Sequence, residues 1–291
     1  MTAPGGPRRL GVMFDRARPP EELAGFARAA QDLGLDELWV VEDLGWGGSM
    51  ASAATALAAT DRIAVGIGIA PAPLRNPALL AMELATLERL HPGRLVAGIG
   101  HGVGSWMTQV GAAVGSPLTL LEETITAVRA LLAGDVADQH GRYVTVDSLA
   151  LVHPPASVPP LLAGVMKPRS LQLSGRVADG TILAEGAGPE MVTAALATIA
   201  ATRPHQLLVL THLCVSDHPD AVAAAMAPVR AEFAEVHGME PAEVYAADGT
   251  ATVAAQRIAD LWSAGVDSVV LRPVGGDPVE LLRRVLAALD R

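Results

Sequence analysis

Apolar runs rich in β-branched residues alternate with stretches of helical periodicity along the whole chain. A short apolar run bounded by glycine or proline predicts a buried strand, and apolar residues three or four positions apart predict an amphipathic helix. The pattern predicts eight strands, at residues 9–15, 36–41, 63–70, 94–100, 160–165, 180–184, 207–215 and 267–271. Helices are predicted at residues 20–33, 49–59, 77–90, 117–133, 168–177, 189–201 and 219–237, with one ending at Gly265 and a last one at 278–289.

Residues typical of helix ends support these boundaries. Pro20 opens the first predicted helix and Gly34 follows its last turn, which is the usual placement of these two residues. Ser116 and Pro117 have the pattern of an N-cap followed by a first-turn proline, and Gly134 closes that helix. The helix bounds therefore do not rest on hydrophobic periodicity alone.

Strict alternation of strands and helices predicts a parallel β/α architecture. Eight such units in 291 residues favour a closed (β/α)8 barrel, the TIM barrel, over an open sheet. Residues 135–158 interrupt the rhythm with Gly141 and a short apolar run at 143–146, so we expect a small insertion of one or two strands outside the barrel. No linker divides the chain, and residues 1–291 are predicted to be one domain.

Composition excludes several classes of protein. Hydrophobic residues make up 51% of the chain but aromatic residues only 3%, which suits a parallel sheet covered by Ala-rich helices. A net charge of −10 argues against nucleic-acid binding. No apolar stretch reaches the roughly 18 residues of a membrane span. The single cysteine, Cys214, and an N-terminus without a secretory apolar segment indicate a cytoplasmic protein.

The function of a (β/α)8 barrel resides at the C-terminal ends of its strands. The predicted strands place there Asp15, Glu42, Asp43, residues 68–75, 101–106 and 164–167, Glu185, His218 and residues 272–276.

Two of these segments have a composition that fits ligand binding. Residues 98–104 carry glycine at every second position, which lets a flat ring approach the backbone, although a tight turn would have the same composition. No helix is predicted to begin within this motif, so it does not match a dinucleotide-binding loop. Residues 163–168 end a strand and start a helix beside Lys167, the only lysine of the chain. This is a candidate phosphate site, or an ordinary exposed loop.

Several side chains at these strand ends could carry chemistry. His101 is the candidate proton donor, because an imidazole titrates near neutrality, or it contacts a cofactor only. Glu42 and Asp43 are adjacent carboxylates whose repulsion would raise one pKa, or they are solvated loop residues. Arg75 is a candidate ligand for a substrate anion. Trp46, Trp106 and Met107 are candidates for an apolar wall over the substrate.

Other kinds of site are not indicated. The eight histidines show no metal-ligand spacing, so no metal site is predicted. No Gly-x-Ser-x-Gly motif supports a hydrolase.

Ordered segments of the chain resemble the luciferase-like oxidoreductase family. The resemblance covers Asp-Arg-Ile at 61–63, Val-Gly-Ile-Gly-Ile at 65–69, Arg-Asn-Pro at 75–77, Pro-Gly-Arg at 92–94 and Gly-Ile-Gly-His-Gly at 98–102. It continues with Gly-Arg-Val-Ala-Asp-Gly at 175–180 and Ala-Gly-Val-Asp-Ser-Val-Val at 264–270. The third-strand segment is most similar to the branch that uses coenzyme F420, a deazaflavin hydride carrier.

This resemblance implies a cofactor site and a dimer. In the F420 branch a non-proline cis peptide bulges from the third strand behind the ring; the matching bond here is Gly68–Ile69. Glu42, Asp43 and Pro71 would flank the ring. His101 and Gly102 would lie along the cofactor tail, and Ala163, Gly164, Met166 and Lys167 near its phosphate. The resemblance also implies a homodimer formed through helices near the second and third strands.

The chain departs from the sugar-phosphate dehydrogenases of that branch. They carry a histidine after the second strand, where this chain has Glu42 and Asp43, and a glutamate after the fourth, where it has Val103. We therefore expect hydride transfer between F420 and a small, largely neutral organic substrate, in the direction of reduction. The alternatives are an FMN-dependent monooxygenase supplied by a partner reductase and a non-catalytic flavin-binding barrel.

Overall fold

The computed structural model describes residues 8–289, apart from the side chains of residues 236 and 237. The barrel wall consists of eight parallel strands. These strands are β1 (Arg9–Met13), β2 (Glu37–Val40), β3 (Ala64–Pro71), β4 (Leu95–Gly100), β7 (Leu161–Gly164), β8 (Gly180–Leu183), β9 (Gln206–Val215) and β11 (Ser268–Pro273). Their order around the wall is β11-β1-β2-β3-β4-β7-β8-β9, and a β9–β11 pairing beside a β8–β9 pairing closes the ring. The predicted (β/α)8 barrel is confirmed.

Helices surround the wall: α1 (Leu23–Asp32), α2 (Ser49–Ala59), α3 (Pro77–Leu90), α4 (Gly104–Gln109), α5 (Pro117–Leu132), α6 (Pro168–Val177), α7 (Pro189–Ile199), α8 (Pro219–His237), α9 (Ala251–Ser263) and α10 (Pro278–Ala288). As predicted, Ser116 caps α5, its hydroxyl accepting a hydrogen bond from the Thr119 amide. None of the helices in the described part of the chain has the length and hydropathy needed to cross a bilayer.

The predicted insertion is present as a two-stranded antiparallel hairpin, β5 (Ala137–His140) and β6 (Thr145–Leu149), which does not join the barrel sheet. Glu123 of α5 holds the hairpin turn in place, because the Glu123 carboxylate accepts backbone hydrogen bonds from Arg142, Tyr143 and Val144. Burial opposes ionisation of Glu123, but these three N–H groups outweigh it and hold its pKa below the ordinary value.

One strand of the sheet was not predicted, and it interrupts the expected alternation. Between β9 and β11 the two predicted helices, α8 and α9, are present, but they are separated by a ninth sheet strand, β10 (Ala247–Gly249). β10 pairs only with the end of β9 and has three residues, which is too short to produce a recognisable pattern. Its Asp248 is buried and pairs with Arg230 and Arg257, so an ion pair rather than an apolar run fixes this strand.

Inside the barrel, apolar side chains fill the middle and an ion pair lies below them. Trp39 is fully buried among inward-facing residues of the other strands, and Gly66 makes room for it: a Cβ there would lie 2.3 Å from the indole ring. Below, the buried Glu37 carboxylate accepts hydrogen bonds from Trp39 Nε1 and Ser268 Oγ and pairs with Arg9 at 3.1 Å. A ligand therefore has access to the barrel only from the opposite, C-terminal end.

Candidate active site

A cavity of about 970 Å³ opens at the C-terminal ends of the strands, which is the size of a pocket for a large cofactor. Twelve of the residues proposed from sequence line it: Glu42, Asp43, Gly68, Ile69, Pro71, His101, Gly102, Trp106, Met107, Gly164, Met166 and Lys167. These residues come from the C-terminal ends of β3 and β7 and from the segments after β2, β4 and β7, which the barrel closure brings to one mouth.

Three proposed residues lie elsewhere. Ala163 is fully buried in the barrel wall. Trp46 is 51% exposed and lies beside the cavity, where its ring packs against the Arg16 guanidinium at 5.5 Å. Arg75 is behind the cavity wall and bound by two carboxylates, so it is not placed to hold a substrate anion.

The cavity floor contains the bulge implied by the resemblance. The Gly68–Ile69 peptide is cis, and the register between β3 and β4 shifts between Ile67 and Ala70. The Ile69 side chain packs over glycines of the two following barrel strands. A Cβ at Gly164 would lie 2.4 Å from Ile69 Cγ2, and one at Gly100 would lie 3.0 Å from Ile69 Cδ1. Because these positions are glycines, the Ile69 side chain can pack directly over the backbone of β4 and β7 at the cavity floor.

A second group lies where β4 and β7 end. His101 Nε2 and Ser170 Oγ are 2.9 Å apart, and Ser170 lies in the first turn of α6, next to Lys167 and Pro168. Burial and the Lys167 charge lower the pKa of His101, against the opposing effect of the Pro117 carbonyl, so the ring is neutral at neutral pH. A lysine, a hydroxyl and a helix N-terminus together favour an anion.

The glycine-rich segment after β4 differs from the prediction in one respect. A short helix, α4, begins at Gly104 within the motif, whereas no helix was expected there. Gly102 has a φ of +68°, which turns the chain from β4 toward α4 and favours glycine at that position. The side chains of Trp106 and Met107 then face the cavity from α4.

Glu42 and Asp43 do not act as a pair, contrary to the prediction. Arg75 binds both Glu42 oxygens, with its closest nitrogen 2.8 Å away, and contacts Glu83 at 2.6 Å; Ser49 also donates to Glu42. Asp43 instead pairs with Arg16 at 2.6 Å. The two side chains diverge to different arginines, and a sequence alone does not show which arginine each carboxylate will meet.

Arg272 forms a buried network at the mouth that the site residues chosen from sequence do not include. Its Nε lies 2.8 Å from Asp15 Oδ2 and its Nη1 lies 3.3 Å from Glu185 Oε1. Burial lowers the pKa of Arg272, but the charges of Glu185 and Asp15 outweigh it and raise the pKa. Burial likewise opposes ionisation of Asp15, yet Arg272 and the Ala17 N–H hold its pKa below the ordinary value. Arg272 and Asp15 are therefore both charged at neutral pH.

Further lining residues come from segments where the sequence carries no motif. Arg16 follows β1, and Glu232 and Phe233 lie on α8. Arg16 reaches Glu232 at 3.5 Å. Below Phe233 the His212 ring packs edge-on at 5.0 Å, and burial lowers its pKa to about 3, so it is neutral. His212 is buried in the barrel, as predicted.

Potential metal ligands in the described residues come together only on the exposed hairpin. Asp138, His140 and Asp147 bring their ligand atoms within 4.8 Å of one another. All three are solvent-exposed, and His140 pairs with Asp138 at 3.1 Å. Exposed groups of this kind are common without an ion, and they lie outside the cavity.

The model of a known protein family, the luciferase-like monooxygenases, matches residues 6–285. The chain belongs to this family. A 5,10-methylenetetrahydromethanopterin reductase of Methanolobus tindarius is 28% identical over 250 residues, which cover 80% of this chain and 76% of the relative. An F420-dependent glucose-6-phosphate dehydrogenase of Nakamurella multipartita is 29% identical over 188 residues, 60% of this chain and 55% of the relative. The match with this dehydrogenase therefore spans about half of its length.

Solved structures share the fold across nearly the whole chain. The F420-dependent tetrahydromethanopterin reductase of Methanopyrus kandleri superposes with a TM-score of 0.86 at 18% identity, covering 98% of this chain and 99% of that one. An F420-dependent secondary alcohol dehydrogenase, solved with an F420–acetone adduct, gives 0.84 at 20% identity, covering 98% and 100%. A monooxygenase, RslO1 of Streptomyces bottropensis, shares the same barrel with a TM-score of 0.78 at 19% identity, covering 96% of this chain and 97% of that one.

Proposed function

We propose that this protein is an F420-dependent oxidoreductase that transfers a hydride between the deazaflavin and a small organic substrate, in the direction of reduction. The observation that carries the proposal is the cavity floor of a luciferase-like barrel, where the Ile69 side chain packs directly over Gly164 and Gly100. The two curated relatives described above, a methanopterin reductase and an F420-dependent dehydrogenase, support the same cofactor class.

The residues present fit a deazaflavin. Its ring needs a flat apolar support, which Ile69 and Pro71 offer, and its phosphate needs an anion site, which Lys167, Ser170 and the α6 N-terminus offer. When bound, the cofactor supplies the hydride, and the protein supplies orientation and a dry pocket. Gly102, Met166 and His101 complete the tail side of the cavity in this proposal.

The three proposed catalytic residues take different roles. His101 lies beside Lys167 and Ser170, so we assign it to the cofactor tail rather than to proton transfer. Glu42 is a positioning residue, because Arg75 and Ser49 fix it between the segments after β2 and β3. Asp43 lines the cavity on the Arg16 side and remains the candidate that touches substrate, beside the apolar wall of Trp106 and Met107.

A titration of the purified protein with F420 and with FMN tests the cofactor assignment. We expect saturable F420 binding and FMN binding that is at least about tenfold weaker. Binding is measured by F420 fluorescence or by calorimetry. Lys167→Met should weaken F420 binding by about tenfold through loss of one phosphate contact. Arg169→Met is the matched control, since Arg169 is exposed at the same helix start and does not line the cavity. Stronger FMN binding would favour the monooxygenase alternative, and binding of neither would exclude both.

We also propose a single-domain, cytoplasmic enzyme that forms a homodimer through α2 and α3. On the outer face of α3, Leu79, Met82 and Leu90 are 49, 54 and 67% exposed. On α2, which precedes β3, Ala51 and Ala58 are also exposed. Neighbouring apolar faces of this kind commonly mark an interface.

Met82→Lys tests the interface, because a charge in a buried apolar contact opposes association. We expect the variant to be monomeric at concentrations where the wild-type protein is dimeric, measured by gel filtration with light scattering. Val253→Lys on α9 is the control, since Val253 is 44% exposed but distant from this face. A dimer that persists in Met82→Lys would show that the interface lies elsewhere.

A further inference from the structure

The cavity mouth contains two arginines that each hold two carboxylates. Arg272 pairs with Asp15 at 2.8 Å and with Glu185 at 3.3 Å. Arg16 pairs with Asp43 at 2.6 Å and with Glu232 at 3.5 Å. We call these six residues the carboxylate side. All of them except Asp15 line the cavity, and their formal charges are two positive and four negative, an excess of two negative charges.

The strand order separates the carboxylate side from the candidate phosphate site. In the ring β11-β1-β2-β3-β4-β7-β8-β9, β11 lies opposite β4, and β1 lies opposite β7. Arg272 is in β11 and Arg16 follows β1, whereas His101 follows β4 and Lys167 follows β7. A cofactor whose phosphate lies near Lys167 therefore leaves the carboxylate side for the substrate.

No other basic group in the described cavity lining offsets the negative excess there. The remaining basic residues of the lining are His101 and Lys167. They interact with each other, and both lie on the side of the barrel opposite Arg272. His212, beneath Phe233, has a pKa of about 3 and contributes no charge. An anionic substrate would meet repulsion on this side, and a cation would meet attraction that the partly buried setting strengthens.

Given the proposed F420-dependent function, we infer that the substrate is an organic cation, an iminium, bound at the carboxylate side. Glu232 is the most accessible of the four carboxylates, with 54% of its side chain exposed, and its contact with Arg16 is the longest. It can turn toward a ligand. Met13, Val41, Leu210 and Phe233 offer an apolar surface for the body of the molecule, and a phenyl ring also attracts a cation.

An iminium acceptor suits both the charges and the chemistry. The hydride from reduced F420 forms a new C–H bond at the iminium carbon, and the C=N π pair becomes a lone pair on nitrogen. The substrate is reduced and the deazaflavin is oxidised. Loss of the hydride and of one proton converts the reduced deazaflavin to the oxidised form, and the amine that is produced can take up this proton, so the step requires no proton donor from the protein.

Three probes that share a benzyl group test the charge preference: benzylammonium and benzyl alcohol, which have the same size, and the larger benzyl phosphate. Binding is measured by ligand-observed NMR to the protein alone and again with F420 present. We expect benzylammonium to bind about tenfold more tightly than benzyl alcohol in both states, and the preference to fall with added salt. Benzyl phosphate should bind most weakly when F420 occupies the candidate phosphate site. Equal binding of benzylammonium and benzyl alcohol, or tightest binding of benzyl phosphate with F420 present, would overturn the inference.

The variants separate a local charge effect from the overall acidity of the protein. Glu232→Gln should reduce the preference for benzylammonium over benzyl alcohol by about threefold. Glu235→Gln removes the same charge from an exposed position on the same helix, outside the cavity lining, and should leave the preference unchanged. Equal effects of the two variants would overturn the assignment to the carboxylate side. The cofactor proposal is tested separately, by the F420 titration. Because the probes are also tested without F420, the charge preference can be measured even if the cofactor proposal fails.

Discussion

Arg272→Met is expected to lower the free energy of unfolding by about 3–5 kcal/mol at neutral pH, because it leaves two largely buried carboxylates without their shared counterion. The side chains of Arg272, Asp15 and Glu185 are 16, 25 and 8% exposed, so water replaces the guanidinium poorly. Methionine keeps much of the length and volume, which limits the contribution from lost packing. Urea denaturation monitored by circular dichroism measures the change.

The pH dependence of that loss identifies its origin. In the wild-type protein burial opposes ionisation of Asp15, but Arg272, with the Ala17 N–H and Arg16, holds the pKa of Asp15 below its ordinary value of 3.8. A carboxylate with a depressed pKa in the folded state stabilises the protein above the unfolded-state pKa, and this contribution is lost as pH falls through the folded-state pKa. The difference between wild type and Arg272→Met should therefore be largest near neutrality and shrink below about pH 4. A difference that stays constant with pH would assign the loss to packing instead.

Two controls accompany this measurement. Arg283→Met removes an arginine from an exposed pair with Glu280, where the side chains are 61 and 56% exposed, and should change stability by no more than about 0.5 kcal/mol. Arg272→Lys keeps the charge but not the two-directional geometry of the guanidinium, and should recover only part of the loss.

The barrel could be predicted from sequence because each strand is a separate apolar run that ends at a helix-start residue or glycine. Ser116 with Pro117, and Gly34 after α1, are local signals that tertiary contacts do not alter. β10 gave no such signal, because three residues paired to one strand and held by the ion pairs of Asp248 have no periodicity.

The position of the site was predictable for a similar reason, since barrel closure brings all C-terminal strand ends to one mouth. The pairing of its charges was not. Glu42 and Asp43 are neighbours in sequence, yet they bind Arg75 and Arg16. Arg16 meets Glu232 only because α8 folds back over the mouth, which depends on the packing of a helix far along the chain. Side-chain partners of this kind need the three-dimensional arrangement.

Gly164→Ala is expected to weaken F420 binding at least about tenfold while leaving the barrel folded. The added Cβ would lie 2.4 Å from Cγ2 of Ile69, far inside van der Waals contact, so the isoleucine must move. Ile69 is β-branched and has few alternative rotamers, and Gly98 and Gly100 of β4 also lie close to its side chain. The displacement is therefore directed into the cavity, where the ring of the cofactor is proposed to lie.

Gly104→Ala is the matched control for this substitution. Gly104 also lines the cavity, but a Cβ there meets no atom within 4 Å, and its backbone is that of a helix start. The same added methyl group should leave F420 affinity within about twofold of the wild type. Overpacking at Gly164 should also cost about 1–3 kcal/mol of stability, so both variants are titrated with F420 at a temperature where circular dichroism shows each to be folded. If Gly164→Ala binds F420 as tightly as Gly104→Ala, then Ile69 does not support the cofactor, and the cavity floor loses its place as the basis of the proposed function.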